Sequence, residues 1–419
     1  MKNLTQIARI LTGLLFVFSG FVKGIDPMGT AFKLNDYFTA FNIEFLDVLA
    51  VPLSVTLCLV EFITGLMLLS GSMVRLASWI AALFMALFTP LTLILALFNP
   101  VSDCGCFGDA IHLTNWQTFF KNVVITLMVV FVFIRRDDRT GTLSLKAGLN
   151  FTLVFIFLFL LFMRYNLACL PLIDFRPYKV GTNLPEAMAI PHDAEPDRYD
   201  IRFIYEKEGV RQEFTLNDYP ANDTAWKFID QKSVLISKGY EPLIHDFSLV
   251  TGEGTDMTEE VTGYKGDVIL LIARRIEKSD RDGLVKGYDL GMALRESETK
   301  FYIVTATAPE AAAGLVTGFD ALYADETTLK TVIRSDPGFV LLHNGTVAAK
   351  WSYHNLPPPG KFTGDLNALA LKTQAVKKNR LVVVSTVLAL LLAVAFTMPF
   401  RLSAGQADKK EKHLKSNIK

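Results

Sequence analysis

The feature that most constrains this chain is a series of apolar runs, each long enough to cross a bilayer, crowded into its first 165 residues. A helix needs about 20 mainly apolar residues to span the hydrocarbon core at 1.5 Å per residue. LTQIARILTGLLFVFSGFV, residues 4–22, passes this test first; runs at 48–70, 77–98, 117–134 and 147–163 follow. After a polar stretch, LVVVSTVLALLLAVAFTMPF at 381–400 makes a sixth. The first run begins like a signal peptide, but no small-x-small cleavage pattern follows GFVKGIDPMG, and Arg9 interrupts it, so it reads as a retained helix.

Lys and Arg in short loops gather on the cytoplasmic side of a membrane. Lys2, Arg75, the group Arg135, Arg136, Arg139 and Lys146, and the tail with Lys409, Lys410, Lys412 and Lys415 fall on one side, whereas 101–116 holds neither residue type. That loop and the long polar segment are therefore expected outside an inner (cytoplasmic) membrane, with both termini in the cytoplasm. Lys377, Lys378 and Arg380 run against the rule. With 42 basic and 42 acidic residues the charges cancel, which gives no sign of a nucleic-acid partner.

The chain between Cys169 and about Gln374 is globular in pattern. YDIRFIYEKEGVRQEFTL alternates about Glu208-Gly209 and predicts a hairpin, and DFSLVTGEGTDMTEEVTG predicts a second about Gly252 to Gly254. DVILLIA (267–273) predicts a buried strand, LVKGYDLGMALRES a helix, FYIVTA (301–306) a strand and PEAAAGLVTG a helix. A further strand, a short helix capped by Asp325 or Thr327, and a hairpin at Asn344-Gly345 close the series.

The order of these elements, with SDPGFVLLHNGTVAAKW, resembles the thioredoxin-like fold over roughly 245–372. The resemblance implies that Pro337 is the proline, commonly cis, that precedes the third core strand. It also implies a cysteine pair after the first core strand, but the chain reads ARRIEKSDRDG there and has no cysteine from 170 onward. Without a thiolate that domain cannot exchange disulfides.

RILTGLLFVFSGFVKGIDPMGTAFKLNDYF, CLVEFITGLMLLSG, DCGCFGD and TNWQTFFKNVV, in this order, resemble the DoxX and MauE group of small membrane proteins. That resemblance implies a redox-associated integral membrane protein. MauE is linked to maturation of methylamine dehydrogenase, an exported enzyme with many disulfides, and DoxX relatives to quinone-linked oxidation.

The expected architecture is thus a multi-span α-helical membrane bundle plus an extracytoplasmic α/β thioredoxin-like domain with an added β-hairpin region. Its divisions are a membrane domain at 1–166, a β-rich connection at 167–244, a degenerate thioredoxin-like domain at 245–375, and a last span with a basic tail at 376–419.

Cys104 and Cys106 are the leading candidates for chemistry, with Gly105, Phe107 and Gly108 as structural residues of their loop. A bridge across one residue is strained, and strain raises the reduction potential, which suits a disulfide that is passed on. A fixed structural disulfide and a metal site stand beside that reading. Cys169 returns to the same membrane face, so it is either a third exchanging sulfur or a spare thiol. Cys58 reads as a packing residue. Glu61, three positions later, is an ionisable group at membrane depth: it handles a proton or binds a quinone-like ligand, or pairs with a cation, Arg9 first and Lys121 second, to fix helix packing. Two functions follow. One is a thiol-disulfide oxidoreductase serving an exported protein client or redox partner, with a quinone as electron carrier; the other is a non-enzymatic scaffold. A small-solute transporter lacks matched broken helices. The membrane lipid is the remaining partner.

Overall fold

The computed structural model describes residues 2–101, 103–136, 145–221, 223–316 and 318–416. Arg139, one of the cationic loop residues, lies outside them. The N-terminal part is a helical bundle: α1 (Lys2–Ile25), α2 (Pro27–Ala40), α3 (Ala50–Ser70), α4 (Val74–Phe98), α5 (Asn115–Ile134) and α6 (Leu145–Cys169). Among the described residues, five helices are long and apolar enough to cross a membrane: Leu4–Ile25, Glu44–Ser70, Val74–Phe98, Asn115–Ile134 and Lys146–Cys169. They match the expected spans to within a few residues at most ends. The sixth run falls inside a long C-terminal helix, Leu366–Ser416, and most of its side chains beyond 390 lie outside the described residues.

Lipid tails are as apolar as leucine, so helices in a bilayer associate through close packing rather than through exclusion of water. Here α1 and α3 meet backbone to backbone at two glycines. A Cβ on Gly20 would come within 2.5 Å of the Phe62 nitrogen, and one on Gly65 within 2.5 Å of the Val17 nitrogen. The Phe62 ring then stacks on Phe159 of α6 with centroids 4.1 Å apart. Leu83, Leu87, Phe120 and Leu127 remain exposed, as side chains facing lipid should.

The short α2 has no counterpart in the expected spans. Asp26 caps it, accepting from the Gly29 amide at 2.9 Å, and Pro27 occupies its first turn. A 3-10 turn over Glu44–Leu49 then leads into α3.

Beyond α6 comes α7 (Leu184–Met188), then an antiparallel sheet of β1 (Arg198–Lys207), β2 (Val210–Thr215) and β3 (Lys227–Ser237), in the order β2-β1-β3. The β1–β2 hairpin turns as expected at Glu208 and Gly209, with φ of 54° and 81°. The second expected hairpin is reduced to a tight turn about Gly252 to Gly254, closed by the Thr251 amide on the Thr255 carbonyl and the Met257 amide on the Leu249 carbonyl. Val250 makes single bridges to Asp256 and to Tyr323, and the chain enters α8 (Thr258–Thr262). The amide and carbonyl of Val250 pair with Tyr323, which attaches this turn to the edge of the larger sheet.

That sheet contains β4 (Asp267–Ile272), β5 (Lys300–Thr305), β6 (Asp320–Tyr323), β7 (Gly338–His343) and β8 (Thr346–Ser352), ordered β6-β5-β4-β7-β8. β4, β5 and β6 are parallel; β7 runs antiparallel to β4, and β8 to β7. Val268, Leu270 and Ile272 enter one core and Ile269 and Leu271 the other, so β4 is buried on both faces and reads as a continuous apolar run. Helix α9 (Arg281–Leu294) covers one side. The expected PEAAAGLVTG helix shrinks to α10 (Pro309–Ala312), whereas α11 (Glu326–Val332) is capped by Asp325, as one of the two candidates required. The β7–β8 turn falls at Asn344 and Gly345, both at positive φ, and the Asp336–Pro337 peptide is cis. The long helix Leu366–Ser416 is α12.

Candidate functional site

The loop between α4 and α5 is held at both ends and at its turn. Asn99, in the left-handed conformation, ends α4. The Asn115 side-chain amide donates to Asn99 Oδ1 at 2.7 Å and to the Val101 carbonyl at 3.0 Å, and a Thr114–Gln117 capping box starts α5. Gly105 and Gly108 take φ of 65° and 54°, and the Gly108 amide closes a turn onto the Gly105 carbonyl. Phe107 packs edge-on against Phe18, with centroids 5.5 Å apart, and the Lys121 ammonium lies 4.3 Å from its ring centre.

This turn brings the Cys104 and Cys106 sulfurs to 3.0 Å, both as thiols rather than a bridge. Their carbonyls are held from α2 and α1: Tyr37 Oη donates to Cys104 at 3.0 Å and Ser19 Oγ to Cys106 at 2.7 Å. A hydrogen bond from Cys104, followed by the positive charges of Lys121 and Lys23, pushes the Cys106 thiol down to about 6 against the cost of burial. Cys104, the donor, is pushed up. The depressed Cys106 favours its thiolate, which is the reactive form of cysteine.

Glu61 lies in the wall of the same cavity of ≈ 90 Å³, together with Cys104, Cys106, Tyr37 and Lys121. Its partner is Lys23, not Arg9: Lys23 and Glu61 form an ion pair with side chains 8% and 11% exposed. Arg9 is buried on the same helix but lies 14 residues earlier, about 21 Å along the axis. Helix register decides this. The Gly20–Phe62 contact places Glu61 level with the last turn of α1, because the first turns of α3 run on beside α2. Glu61 and Cys58 are consequently nearer one end of the bundle than the span boundaries implied. Cys58 is fully buried and packs with Val17, Phe62 and Leu66.

Cys169 does not line this cavity. It ends α6 at a different junction, where its carbonyl accepts from Asn355 and the adjacent Ala168 carbonyl accepts from Ser352 Oγ at 2.7 Å. The three-sulfur cluster expected from topology is therefore not assembled.

The α/β domain grips the cysteine loop from outside the cavity. Arg334 reaches Asp26, the cap of α2, and Asp109 of the loop, both at 2.7 Å. Arg274, Lys330 and Arg334 surround the Phe32 ring at 5.0, 5.5 and 5.3 Å. Arg274 stands just after β4, where the resemblance implied a cysteine, and pairs with Asp336, the residue before Pro337. Sequence reasoning missed Lys23, Tyr37 and Arg334, and named Lys121 only as a second candidate partner of Glu61, whereas its ammonium lies over the Phe107 ring. Only Lys23 left a signal, as a cation at the end of an apolar run facing a chain with one intramembrane acid. Among the described residues, no group of three His, Cys, Asp or Glu could hold a metal ion.

Fold and site together define an integral membrane protein whose helical bundle carries a buried dithiol at one end, with a mixed α/β domain clamped over that end. Residues 1–135 match the family model described as methylamine utilisation protein MauE. Residues 199–238, the three-stranded sheet, match a domain of unknown function (DUF8463). No curated protein and no solved structure matches the chain.

Proposed function

We propose that this protein is a membrane thiol-disulfide oxidoreductase that supports disulfide formation in an exported client through Cys104 and Cys106. The observation that carries the reading is the shared cavity: two cysteine sulfurs 3.0 Å apart at one wall and a buried Lys23–Glu61 pair at another. In the oxidised protein a client thiolate attacks the Cys104–Cys106 bridge, forming a mixed disulfide and releasing one sulfur as thiolate. The client's second thiolate displaces the first link, so the client leaves oxidised and Cys104 and Cys106 are reduced, having gained two electrons and two protons.

The cavity suits a quinone headgroup: Lys23 and Lys121 offer donors, and Phe84, Met85 and Phe88 an apolar wall. Held there, a quinone would supply the acceptor for the two electrons and two protons. Lys23 and Glu61 hold a proton-exchanging pair beside the thiolate that must lose its charge. The membrane orientation is that of an inner-membrane protein with the loop and α/β domain outside, supported by the absence of Lys and Arg from 99–114 and by Arg75, Arg135 and Arg136 at the other end. The order β5-β4-β7-β8, with β7 antiparallel to β4, supports the thioredoxin-like reading of the α/β domain. The matched family's name ties such a site to methylamine utilisation, although the chemistry requires only a client with two cysteines.

A second reading, a scaffold without thiol chemistry, is favoured by the Arg334 clamp and by the lack of cysteine beyond 170. Substituting Cys104 and Cys106 together by serine separates the two. Loss of client oxidation at unchanged protein level supports exchange; retained oxidation leaves the scaffold. In whole cells, mass-tagging of free thiols should show Cys104 and Cys106 changing state with added reductant or oxidant, and a fixed state would refute the proposal.

A further inference from the structure

At the junction of α6, β8 and α12 a second pocket of ≈ 520 Å³ opens, apart from the cysteine loop. Four lysines line it, Lys179, Lys350, Lys377 and Lys378, against one carboxylate, Asp174. That carboxylate is already engaged. It accepts from Arg176 Nε at 2.8 Å and from Lys350 Nζ at 3.1 Å, and all three side chains are at most 11% exposed. Each of those two cations also donates to a main-chain carbonyl: Arg176 to Thr331 at 2.9 Å and Lys350 to Val332 at 2.7 Å. Lys377 sits close enough to feel both Asp174 and Arg176. Three cations thus crowd one aspartate, and Lys179 and Lys378 add to the excess. Burial, with Arg176 adding to it, pushes Lys350 down to about 7, and burial pushes Lys377 down as well.

We infer that this pocket binds a phosphate group, carried by an anionic phospholipid whose acyl chains lie along the adjoining apolar surface. The location argues for a lipid source. Leu172 begins the pocket three residues past Cys169, the end of a membrane-length helix, and Leu371 and Leu381 continue its apolar side. Basic pockets at helix ends recognise anionic headgroups by this same excess of charge beside a hydrophobic wall. The site also accounts for Lys377 and Lys378, which stand against the loop-charge rule in the proposed orientation: they serve a ligand rather than topology. The inference does not depend on the cysteine chemistry.

The test uses the full-length protein in detergent, titrated with phosphatidylglycerol or phosphatidylcholine and read by native mass spectrometry. The wild type should retain one phosphatidylglycerol, and K377Q/K378Q should lower that occupancy at least tenfold. K179Q, away from α12, should give a smaller loss, and a thermal melt checks that each variant is folded. Equal retention of phosphatidylcholine, or undiminished retention by the folded variants, would overturn the inference. Inorganic phosphate forms the third arm: stabilisation by phosphate alone, with no retained phosphatidylglycerol, would overturn the lipid source.

Discussion

Replacing Arg334 by alanine should release the cysteine loop from the α/β domain without unfolding either. Arg334 is 9% exposed and serves two carboxylates, Asp26 at 13% and Asp109 at 34% exposure. Removing one partner of a buried ion pair costs about 3–5 kcal/mol, because the stranded charge keeps its desolvation penalty. The lower end applies here. Asp109 is about one third exposed, and Asp26 keeps its capping bond from the Gly29 amide at 2.9 Å. A loss of about 3 kcal/mol is roughly a hundredfold in the balance between docked and undocked states, at 1.4 kcal/mol per factor of ten. Phe32 retains Arg274 and Lys330, so the interface weakens rather than vanishes. Amide hydrogen exchange is the assay. Exchange over 103–110 and 26–34 should quicken by up to two orders of magnitude while β4 and β7 stay protected, and Arg334→Lys should fall between, since one ammonium cannot fork to both acids. Unchanged exchange in the loop would refute the clamp, and equal loosening of β4 would show that the variant destabilises the α/β domain itself.

Alkylation of Cys106 should follow a thiolate titrating near pH 6, and Cys104→Ala should move that midpoint upward by removing the hydrogen bond that lowers it. The sign for stability follows. With the folded thiol below its ordinary value, the unfolded chain holds the extra proton between about 6 and 9, so the reduced protein gains stability as pH rises through that window and loses it as pH falls through about 6. If Cys106→Ser shows the same pH dependence in chemical melts, the assignment fails. Gly65→Ala should push α1 from α3, since its Cβ would meet the Val17 nitrogen at 2.5 Å. Overpacking of this kind costs about 1–3 kcal/mol, visible as a lower melting temperature in detergent, whereas Gly360→Ala, which faces open space, should melt as wild type.

Sequence alone determined what depends on neighbours along the chain. Apolar length marked the five spans, alternation and Asn-Gly or Glu-Gly turns marked two hairpins, and the β4 run announced a strand buried on both sides. The Cys-x-Cys turn was legible too, because Gly105 and Gly108 set its backbone locally. The partners of these groups were not. Lys23 displaced Arg9 as the counter-ion of Glu61 because the glycine contact between α1 and α3 sets their register, and an apolar run does not encode how far one helix slides along another. Cys169 reached the right end of the bundle but not the right side of it, a rotation that topology leaves free. Arg334 meets Asp26 across 308 residues of chain and Asp109 across 225, and no local pattern marks such a pair. Local sequence therefore decided which groups could carry the chemistry, and only packing at long separation decided which of them share a cavity.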